Sequence, residues 1–336
     1  MASQPLRALA GLVIAAAAGI VPAPGASAAT TYRAASDGAA IVASAKIDAH
    51  TYDVTVRTPA IGDDEKMRVM LPKGWSRTAK RTWPVVYAYQ GGNDDYLSWV
   101  RGSQITTLAA EYDTIVVLPS GGANGGYTDW YNYGKGGTPK WETFHTQEVM
   151  QLIERNFRAD KRRAAVGVSS GGQGAMTYAA RHPGMYRYAA SFSGILHLTE
   201  PGLPALLMFQ GLNFDFDPFR VWGVPVVNEK NWEAHDPYVL AANLRGTGLY
   251  VSSGLTGLPG PYDPDPNDLR GDILGALGEA LVGSTANAFV SKVMALRIPI
   301  TTHLYIGGWH NWKYWRPELA TAWPLMMKAL GAKKIA

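Results

Sequence analysis

The stretch RAAVGVSSG, residues 163–171, decides how the rest of the chain is interpreted. It begins as a short buried-type strand and runs directly into a G-x-S-x-G turn, which is followed by helical spacing through about Arg181. A strand, a tight turn and a helix in this order are typical of a nucleophile elbow, where only small residues fit beside the serine. Ser169 is therefore predicted to lie above the carboxyl edge of a sheet, near a helix N-terminus that stabilises negative charge. The alternative is that Ser169 is a plain helix N-cap.

Strands and helices alternate on both sides of this elbow. Buried-type strands are predicted at residues 83–89, 114–118, 188–192, 248–252 and 299–305, and helices at 105–112, 143–157, 274–293 and beyond 317. This alternation predicts a doubly wound α/β fold with a mostly parallel sheet. A hairpin-like pair at residues 47–57 and 67–71 precedes it. No repeat or interdomain linker is visible, so residues 45–336 are predicted to form one catalytic domain, with an apolar insertion between the strands near 188–192 and 248–252.

The first 28 residues have the three parts of a secretory signal peptide. Arg7 precedes an apolar stretch at residues 8–21, and a small-residue cleavage site, ASA, follows at 26–28. The apolar stretch is too short to span a bilayer, and no other run reaches about 18 apolar residues. We therefore predict a secreted or cell-envelope protein with no membrane anchor after signal cleavage. Residues 29–44 are rich in alanine and are predicted to be a mobile leader.

Composition narrows the classes of function. The chain has 336 residues, a net charge of +4 and no cysteine, which excludes disulfides, thiolate metal sites and a cysteine nucleophile. The longest basic cluster is KRR at residues 161–163, so nucleic acid is a poor partner. There is no H-E-x-x-H motif, and the DPDPN run at residues 263–267 lacks the glycine and the last glutamate of a calcium loop. We predict neither a metal site nor a cofactor.

A serine nucleophile needs a base, and in elbow-type hydrolases the chain order is serine, acid, histidine. Of the seven histidines, only His303 and His310 follow both Ser169 and the last acidic loops. His303 lies within the predicted strand at 299–305, whereas His310 lies in the loop just past it. A catalytic base is expected on the loop, so His310 is predicted to be the base. The alternative is a solvated loop histidine among neighbouring tryptophans.

Spacing does not decide the acid. Four aspartates and one glutamate follow the strand at 248–252, as the acid of such a triad does. These candidates are Asp263, Asp265, Asp268, Asp272 and Glu279. The residues alone leave the choice among the five open.

Two further parts of a site can be predicted from the residues. An oxyanion hole uses the backbone N–H of the residue after the nucleophile, here Ser170, and one from the loop after an earlier strand, for which we select Gly92 in QGGN at 90–93. A simple tight turn is the alternative for that loop. The insertion is rich in Leu, Phe and Trp, and Phe209 and Trp222 are predicted to line or cover an acyl-chain groove. The alternative is that the insertion is a packed segment of chain that closes one end of the core.

Several motifs resemble, in the same order, those of the secreted mycolyltransferases of the antigen 85 complex, within the wider esterase D and S-formylglutathione hydrolase group. The matches are DDY at 94–96 with Trp99, YTDWY at 127–131, KWETF at 140–144, AAVGVSSGG at 164–172, YAASFSG at 188–194, and His310 followed by Trp312, Tyr314 and Trp315. The YTDWY and KWETF pair is more specific than the elbow, and the pattern spans residues 83–315.

The resemblance implies an α/β-hydrolase fold and a Ser, Glu, His triad. In the family the acid is a glutamate ten residues before a phenylalanine, and Glu279 stands in that relation to Phe289. The resemblance therefore selects Glu279, with a helix-surface glutamate as the alternative. It also implies a secreted serine acyl-transfer enzyme, similar to the mycolyltransferase/diacylglycerol acyltransferase family, that takes an acyl-ester lipid as donor and a sugar, a glycerolipid alcohol or water as acceptor.

One departure concerns the acceptor. Family members that use trehalose carry an Asp-Gly-Leu-Arg run at the oxyanion loop, where residues 90–93 of this chain read QGGN. Gln90 can still offer an amide to a substrate, and Trp312 is a second candidate for sugar contacts. Two other functions remain open: a plain secreted carboxylesterase or lipase-like hydrolase, and a non-catalytic protein that binds an extracellular matrix protein.

Overall fold

A nine-stranded sheet forms the centre of the computed structural model, which describes residues 31–213, 217–263 and 273–335. The strands are β1 (Ala40–Lys46), β2 (Thr51–Thr58), β3 (Asp63–Met70), β4 (Trp83–Tyr89), β5 (Ile115–Pro119), β6 (Ala159–Val168), β7 (Tyr188–Phe192), β8 (Gly248–Leu258) and β9 (Thr301–Gly307). Their order across the sheet is β1-β2-β3-β5-β4-β6-β7-β8-β9. The pairs from β1 to β5 are antiparallel, and those from β5 through β4 to β9 are parallel.

Helices cover both faces of this sheet. They are α1 (Ser98–Gly102), α2 (Ile105–Ala110), α3 (Trp141–Thr143), α4 (Met150–Phe157), α5 (Ser170–Arg181), α6 (Leu203–Asn213), α7 (Phe219–Trp222), α8 (Glu229–Glu233), α9 (Ile273–Ala295) and α10 (Trp312–Leu330). A π-helical segment, Phe144–Val149, joins α3 to α4, and 3₁₀ turns lie at Asn132–Gly134 and Ala241–Leu244. The predicted doubly wound, mostly parallel α/β-hydrolase fold is confirmed.

The central strands are buried on both faces, which explains their continuous apolar sequences. Every residue of β4, β5 and β7 is buried. Parallel strands covered by helices on both sides lose the alternation of polar and apolar residues that marks a half-exposed strand. One core cluster lies under α4, α5 and α9, and a second lies under α10. The carboxyl ends of β4, β6, β8 and β9 meet at the same edge of the sheet, where the chemistry is expected.

The prediction of a mobile leader over residues 29–44 is wrong for the part that forms β1. Residues Ala40–Lys46 pair with β2 along the sheet edge, although most of their side chains are exposed. Backbone hydrogen bonds hold this strand, and because most of its side chains are exposed, its sequence, AIVASAK, shows no alternation of large apolar and polar residues by which to recognise it. Residues ahead of it are also attached, since the backbone of Arg33 forms hydrogen bonds with the side chain of Asn156. Residues 1–28, which the sequence predicts to be a signal peptide, lie outside the described residues.

Several boundaries differ from those predicted. β6 begins at Ala159, β8 continues to Leu258, and α10 begins at Trp312, five residues before the proline from which the terminal helix was predicted. The insertion contains α6, α7 and α8, and side chains from these helices form a separate cluster with Leu198: Met208, Val221, Trp222 and Trp232. Within the described ranges, no helix has the length and apolar content needed to cross a bilayer.

Candidate active site

The turn after β6 places Ser169 in a backbone conformation that side chains rarely adopt. Its φ is 53° and its ψ is −125°. The flanking glycines are required by contact, because a Cβ on Gly167 would lie 2.0 Å from the carbonyl oxygen of Gly171. A Cβ on Gly171 would lie 2.3 Å from the carbonyl oxygen of Gln90. The elbow therefore packs α5 closely against β6 on one side and against the end of β4 on the other, so that only glycine fits at both positions, and Ser169 is left partly exposed at the sheet edge.

His310 lies beside this serine. Its Nε2 is 2.8 Å from Ser169 Oγ, and its Nδ1 is 2.7 Å from Glu279 Oε2. The histidine stands between the end of β9 and Asn311, whose side chain caps the first turn of α10. The edge of the imidazole ring meets the Trp315 ring at 4.9 Å between centroids and 85° between planes. Ser169, His310 and Glu279 thus form a continuous chain of hydrogen bonds.

Glu279 lies in the middle of α9 and is fully buried. Its Oε1 accepts three hydrogen bonds, from Ser193 Oγ at 2.8 Å, Ser253 Oγ at 3.0 Å and the backbone N–H of Gly254 at 2.6 Å. A buried carboxylate needs donors of this kind because burial removes the water that would otherwise solvate its charge. The remaining oxygen, Oε2, is left to His310.

The other candidates lie elsewhere or outside the described residues. Asp263 accepts hydrogen bonds from the Tyr314 hydroxyl at 2.6 Å and the Gly260 N–H at 2.9 Å, and it ties the loop after β8 to α10. Asp265, Asp268 and Asp272 fall outside the described residues. His303 is on the edge strand β9 with 59% of its side chain exposed, and its Nδ1 lies 2.7 Å from Glu318 rather than near Ser169.

Ser170 and Gly92 flank a cavity beside Ser169. Ser170 is the first residue of α5, where a backbone N–H has no partner within the helix. Gly92 lies in the loop that follows β4. A Cβ on Gly92 would be 3.6 Å from Ser170 Oγ. Ser170 and Gly92 are therefore neighbours at the wall of the cavity that also contains Ser169, which is where the two donors of an oxyanion hole are expected.

The cavity has a volume of about 300 Å³ and a mostly apolar wall. Its lining consists of residues 92–93, 121–127, Ser169, Ser170, Gln173, Ile195, Leu207, Met208, Pro218, Val221 and Trp222. Of the predicted substrate-binding residues, Trp222 is part of this wall. The side chain of Phe209 lies outside the described residues.

Gln90 and Trp312 are placed away from the cavity. The Gln90 side chain is buried, and its amide donates to the carbonyl oxygens of Asp94 and Gly122, at 2.5 Å and 3.3 Å. It therefore holds the loop that carries Gly92 and is not in position to contact substrate. Trp312 lies flat on the backbone of Gly102, so that a Cβ there would be 2.1 Å from the indole ring, and its edge faces Trp99.

The glycine-rich loop at 121–126 is the part of the cavity that sequence reasoning missed. Its signal was the run SGGANGGY after β5, which the sequence presents only as a long loop. Three contacts fix it: Tyr127 Oη donates to the Gln90 carbonyl at 2.7 Å, the Asn93 N–H donates to Ala123 O at 2.8 Å, and His145 Nε2 lies 2.7 Å from Ser120 O. Burial lowers the pKa of His145 from 6.5 to about 4, so this histidine is neutral near pH 7.

The two specific aromatic motifs also support this wall. Asp129 of YTDWY accepts from the backbone N–H of Thr143 at 2.9 Å and from its hydroxyl at 2.6 Å, which links it to KWETF. Glu142 of the second motif forms an ion pair with Arg181 at 2.8 Å and contacts His182 at 2.7 Å. Burial acts to raise the pKa of Glu142, but these partners outweigh it and hold the pKa below its usual value. The motifs therefore build the scaffold around the site.

Comparison with known proteins places this architecture in a family. The esterase family model matches residues 58–326. This chain belongs to the esterase family. It is 30% identical over 295 residues to the diacylglycerol acyltransferase/mycolyltransferase Ag85B of Mycobacterium intracellulare, which covers 82% of this chain and 83% of that protein.

Two solved structures are also similar. The crystal structure of MPT51 from Mycobacterium tuberculosis matches with a TM-score of 0.64 and 25% identity, over 82% of this chain and 97% of that one. An S-formylglutathione hydrolase from Agrobacterium tumefaciens matches with a TM-score of 0.66 and 16% identity, over 87% and 99% of the two chains, which shows a shared fold. The resemblance inferred from the motifs is confirmed. This esterase-family chain is a serine esterase or acyltransferase enzyme.

Proposed function

We propose that this esterase-family enzyme forms an acyl-enzyme on Ser169 and passes the acyl group to an alcohol or to water. The observation that carries the proposal is the unbroken chain from Ser169 Oγ through His310 to Glu279, with distances of 2.8 Å and 2.7 Å. A buried acid, a base that it orients and a nucleophile at a strained turn are the parts that acyl transfer by serine requires.

In the first half of the reaction Ser169 Oγ attacks the carbonyl carbon of an ester while its proton moves to His310 Nε2. The N–H groups of Ser170 and Gly92 stabilise the oxyanion, and Glu279 stabilises the imidazolium. The tetrahedral intermediate collapses when the bond to the leaving alcohol breaks and Nε2 returns the proton to that alcohol. In the second half, an acceptor alcohol or water gives its proton to Nε2 and attacks the acyl-enzyme, which regenerates Ser169.

The position of the cavity indicates which part of the ester it holds. Both alcohols, leaving and attacking, must come within hydrogen-bond reach of His310 Nε2 because they exchange protons with it. The cavity wall includes Ser169 and the oxyanion residues but not His310. We therefore assign the cavity to the acyl group, with Val221 and Trp222 at its apolar wall. The acceptor then approaches from the side of His310.

An acyl-ester lipid is our choice of donor, because the lining is apolar and the relatives are named acyltransferases. A sugar, a glycerolipid alcohol or water is our choice of acceptor. We further propose that residues 1–28 are a signal peptide and that the enzyme acts outside the cell or in its envelope. Mass determination of the protein in culture medium would support this if the chain begins near Ala29, and a chain that retains residues 1–28 would contradict it.

Acyl-enzyme trapping tests the central proposal. The enzyme is mixed with p-nitrophenyl butyrate, quenched with acid and measured by intact mass and peptide mapping, and we expect one added butyryl group on Ser169. His310→Gln should prevent the adduct, whereas His303→Gln should retain it because His303 contacts Glu318 instead. Acylation at another residue, or equal loss in both histidine variants, would contradict the assignment.

A further inference from the structure

Trp315 connects two members of the proposed triad. The edge-to-face contact of its ring with His310 has centroids 4.9 Å apart, and its Nε1 donates to Ser193 Oγ at 2.9 Å. Ser193 Oγ in turn donates to Glu279 Oε1 at 2.8 Å. One side chain of α10 therefore contacts the base directly and the acid through one hydroxyl, and it is 7% exposed.

The direction of these hydrogen bonds follows from the groups involved. An indole nitrogen can only donate, so Ser193 Oγ must accept from Trp315. A serine hydroxyl has a single proton, and the lone pair taken by the indole leaves that proton to point toward Glu279. Ser193 is also held rigidly, because its backbone has a φ of 48° and its N–H donates to Ser252 O at 2.8 Å. The indole thus fixes which way the hydroxyl points.

We propose that Trp315 is a positioning residue for the triad: its indole N–H orients the Ser193 hydroxyl onto Glu279 Oε1 and thereby keeps Oε2 aimed at His310. The inference rests on the proposed function of Ser169, His310 and Glu279. With Ser193, Ser253 and Gly254 all donating to Oε1, the carboxylate has no reason to rotate, and Oε2 remains for the imidazole Nδ1. Without the indole N–H, the hydroxyl is free to turn away.

Removal of a donor also changes how readily the acid and base take up a proton. A carboxylate that loses a hydrogen bond is less stable in its charged form, so the ionised acid on which the mechanism depends is harder to maintain at low pH. Among the described residues, Tyr305 on β9 is a titratable group whose charge interacts with that of Glu279. Burial, followed by the charges of Glu279 and Glu318, raises the pKa of Tyr305, so it stays neutral. We therefore expect that removal of this donor moves the acid limb of the kcat/KM profile to higher pH.

The test uses Trp315→Phe, which keeps an aromatic ring against His310 but removes the N–H. We expect kcat for p-nitrophenyl butyrate to fall about tenfold, as for loss of a hydrogen bond to a charged site, with little change in KM. The acid limb of the kcat/KM profile should move to higher pH. Ser193→Ala should show the same shift, and the double variant should be no worse than Ser193→Ala because both changes act on one relay.

Trp323→Phe is the matched control. Trp323 lies on the same helix and is fully buried, and its Nε1 has no hydrogen-bond partner among the described residues. The control should keep both kcat and the pH profile, while thermal unfolding checks that all variants fold. An unchanged acid limb in Trp315→Phe, or fully additive losses in the double variant, would overturn the proposal. Full activity of Ser169→Ala would instead overturn the function on which it rests.

Discussion

Replacement of Glu279 by glutamine is expected to reverse the tautomer of His310. The Oε1 position accepts from Ser193, Ser253 and the Gly254 N–H, and because a backbone N–H can only donate, an NH₂ group at that position would face it without forming a hydrogen bond. The glutamine must therefore place its oxygen there and its NH₂ group toward His310. An NH₂ group facing Nδ1 requires that Nδ1 accept, so the imidazole proton moves to Nε2. A protonated Nε2 cannot take the proton of Ser169.

The magnitude follows from that wrong tautomer. In serine hydrolases a change of the acid to its amide lowers kcat by about 10⁴, with the geometry kept. That ratio corresponds to about 5 kcal/mol of activation free energy. Because glutamine has almost the same shape as glutamate and keeps the three hydrogen bonds at Oε1, we expect the melting temperature and KM to change little. The kcat for hydrolysis of p-nitrophenyl butyrate measures the effect.

Asp263→Asn is the control for the same assay. Asp263 follows β8 as the acid of such triads does, but it contacts Tyr314 and Gly260 rather than His310. Its variant should lose less than about tenfold in kcat, since both hydrogen bonds go to Oδ2 and the oxygen of an asparagine amide can accept both of them. A loss in Glu279→Gln of less than tenfold, or a larger loss in Asp263→Asn, would refute the assignment of the acid.

Three other outcomes are expected. Ser169→Ala should abolish labelling by a fluorophosphonate probe while the far-ultraviolet circular dichroism is unchanged, and a label on Ser170 or Ser193 would contradict the elbow assignment. Burial lowers the pKa of His145 from 6.5 to about 4 in the folded protein. Between these two pH values the unfolded chain therefore binds a proton at His145 more readily than the folded protein does. The free energy of unfolding should therefore fall as pH drops through that window, by about 3 kcal/mol, and His145→Gln should remove this part of the pH dependence. Trehalose should be a poor acceptor, because QGGN at 90–93 lacks a charged fork to pair its hydroxyls; a product mixture dominated by acylated trehalose rather than free acid, measured by mass spectrometry, would show otherwise.

The elbow and the base could be found from the sequence because each is marked locally. The glycine before Ser169 is required by the contact of β6 with α5 and the glycine after it by the approach of α5 to the end of β4, and both constraints appear in the sequence as glycines beside the serine. His310 stands in the first loop after the last strand, where chain order leaves few choices. The acid carries no local mark, since Glu279 reaches its partners from the middle of a helix that packs on β8. Only its relation to Phe289 in related proteins identified it.

The cavity could not be predicted for a different reason. Its wall combines a glycine-rich loop after β5 with α7 of the insertion, two segments about a hundred residues apart in sequence. The contact is close, since a Cβ on Gly126 would lie 2.9 Å from Val221. Neither segment has a periodic pattern, so nothing in either one indicates the other. The position of Gln90 could not be predicted either. The sequence alone allows its amide to contact substrate, but in the fold the amide points inward and donates to the carbonyl oxygens of Asp94 and Gly122.

The choice between transfer and hydrolysis must be made on the side of the site that the cavity does not occupy. Ser169, His310 and Glu279 treat an alcohol and water alike, because each needs only to give a proton to Nε2. An enzyme that transfers must therefore bind its alcohol more favourably than it binds water at that point. Trp315, which contacts His310, is only 7% exposed, but Trp312, whose ring meets that of Trp315 edge to face at 5.3 Å, is partly exposed. Aromatic faces favour a lipid-like alcohol over water, and they offer a polyhydroxylated sugar few hydrogen bonds. If this enzyme transfers its acyl group, the acceptor that gains most from this surface is an alcohol with an apolar body.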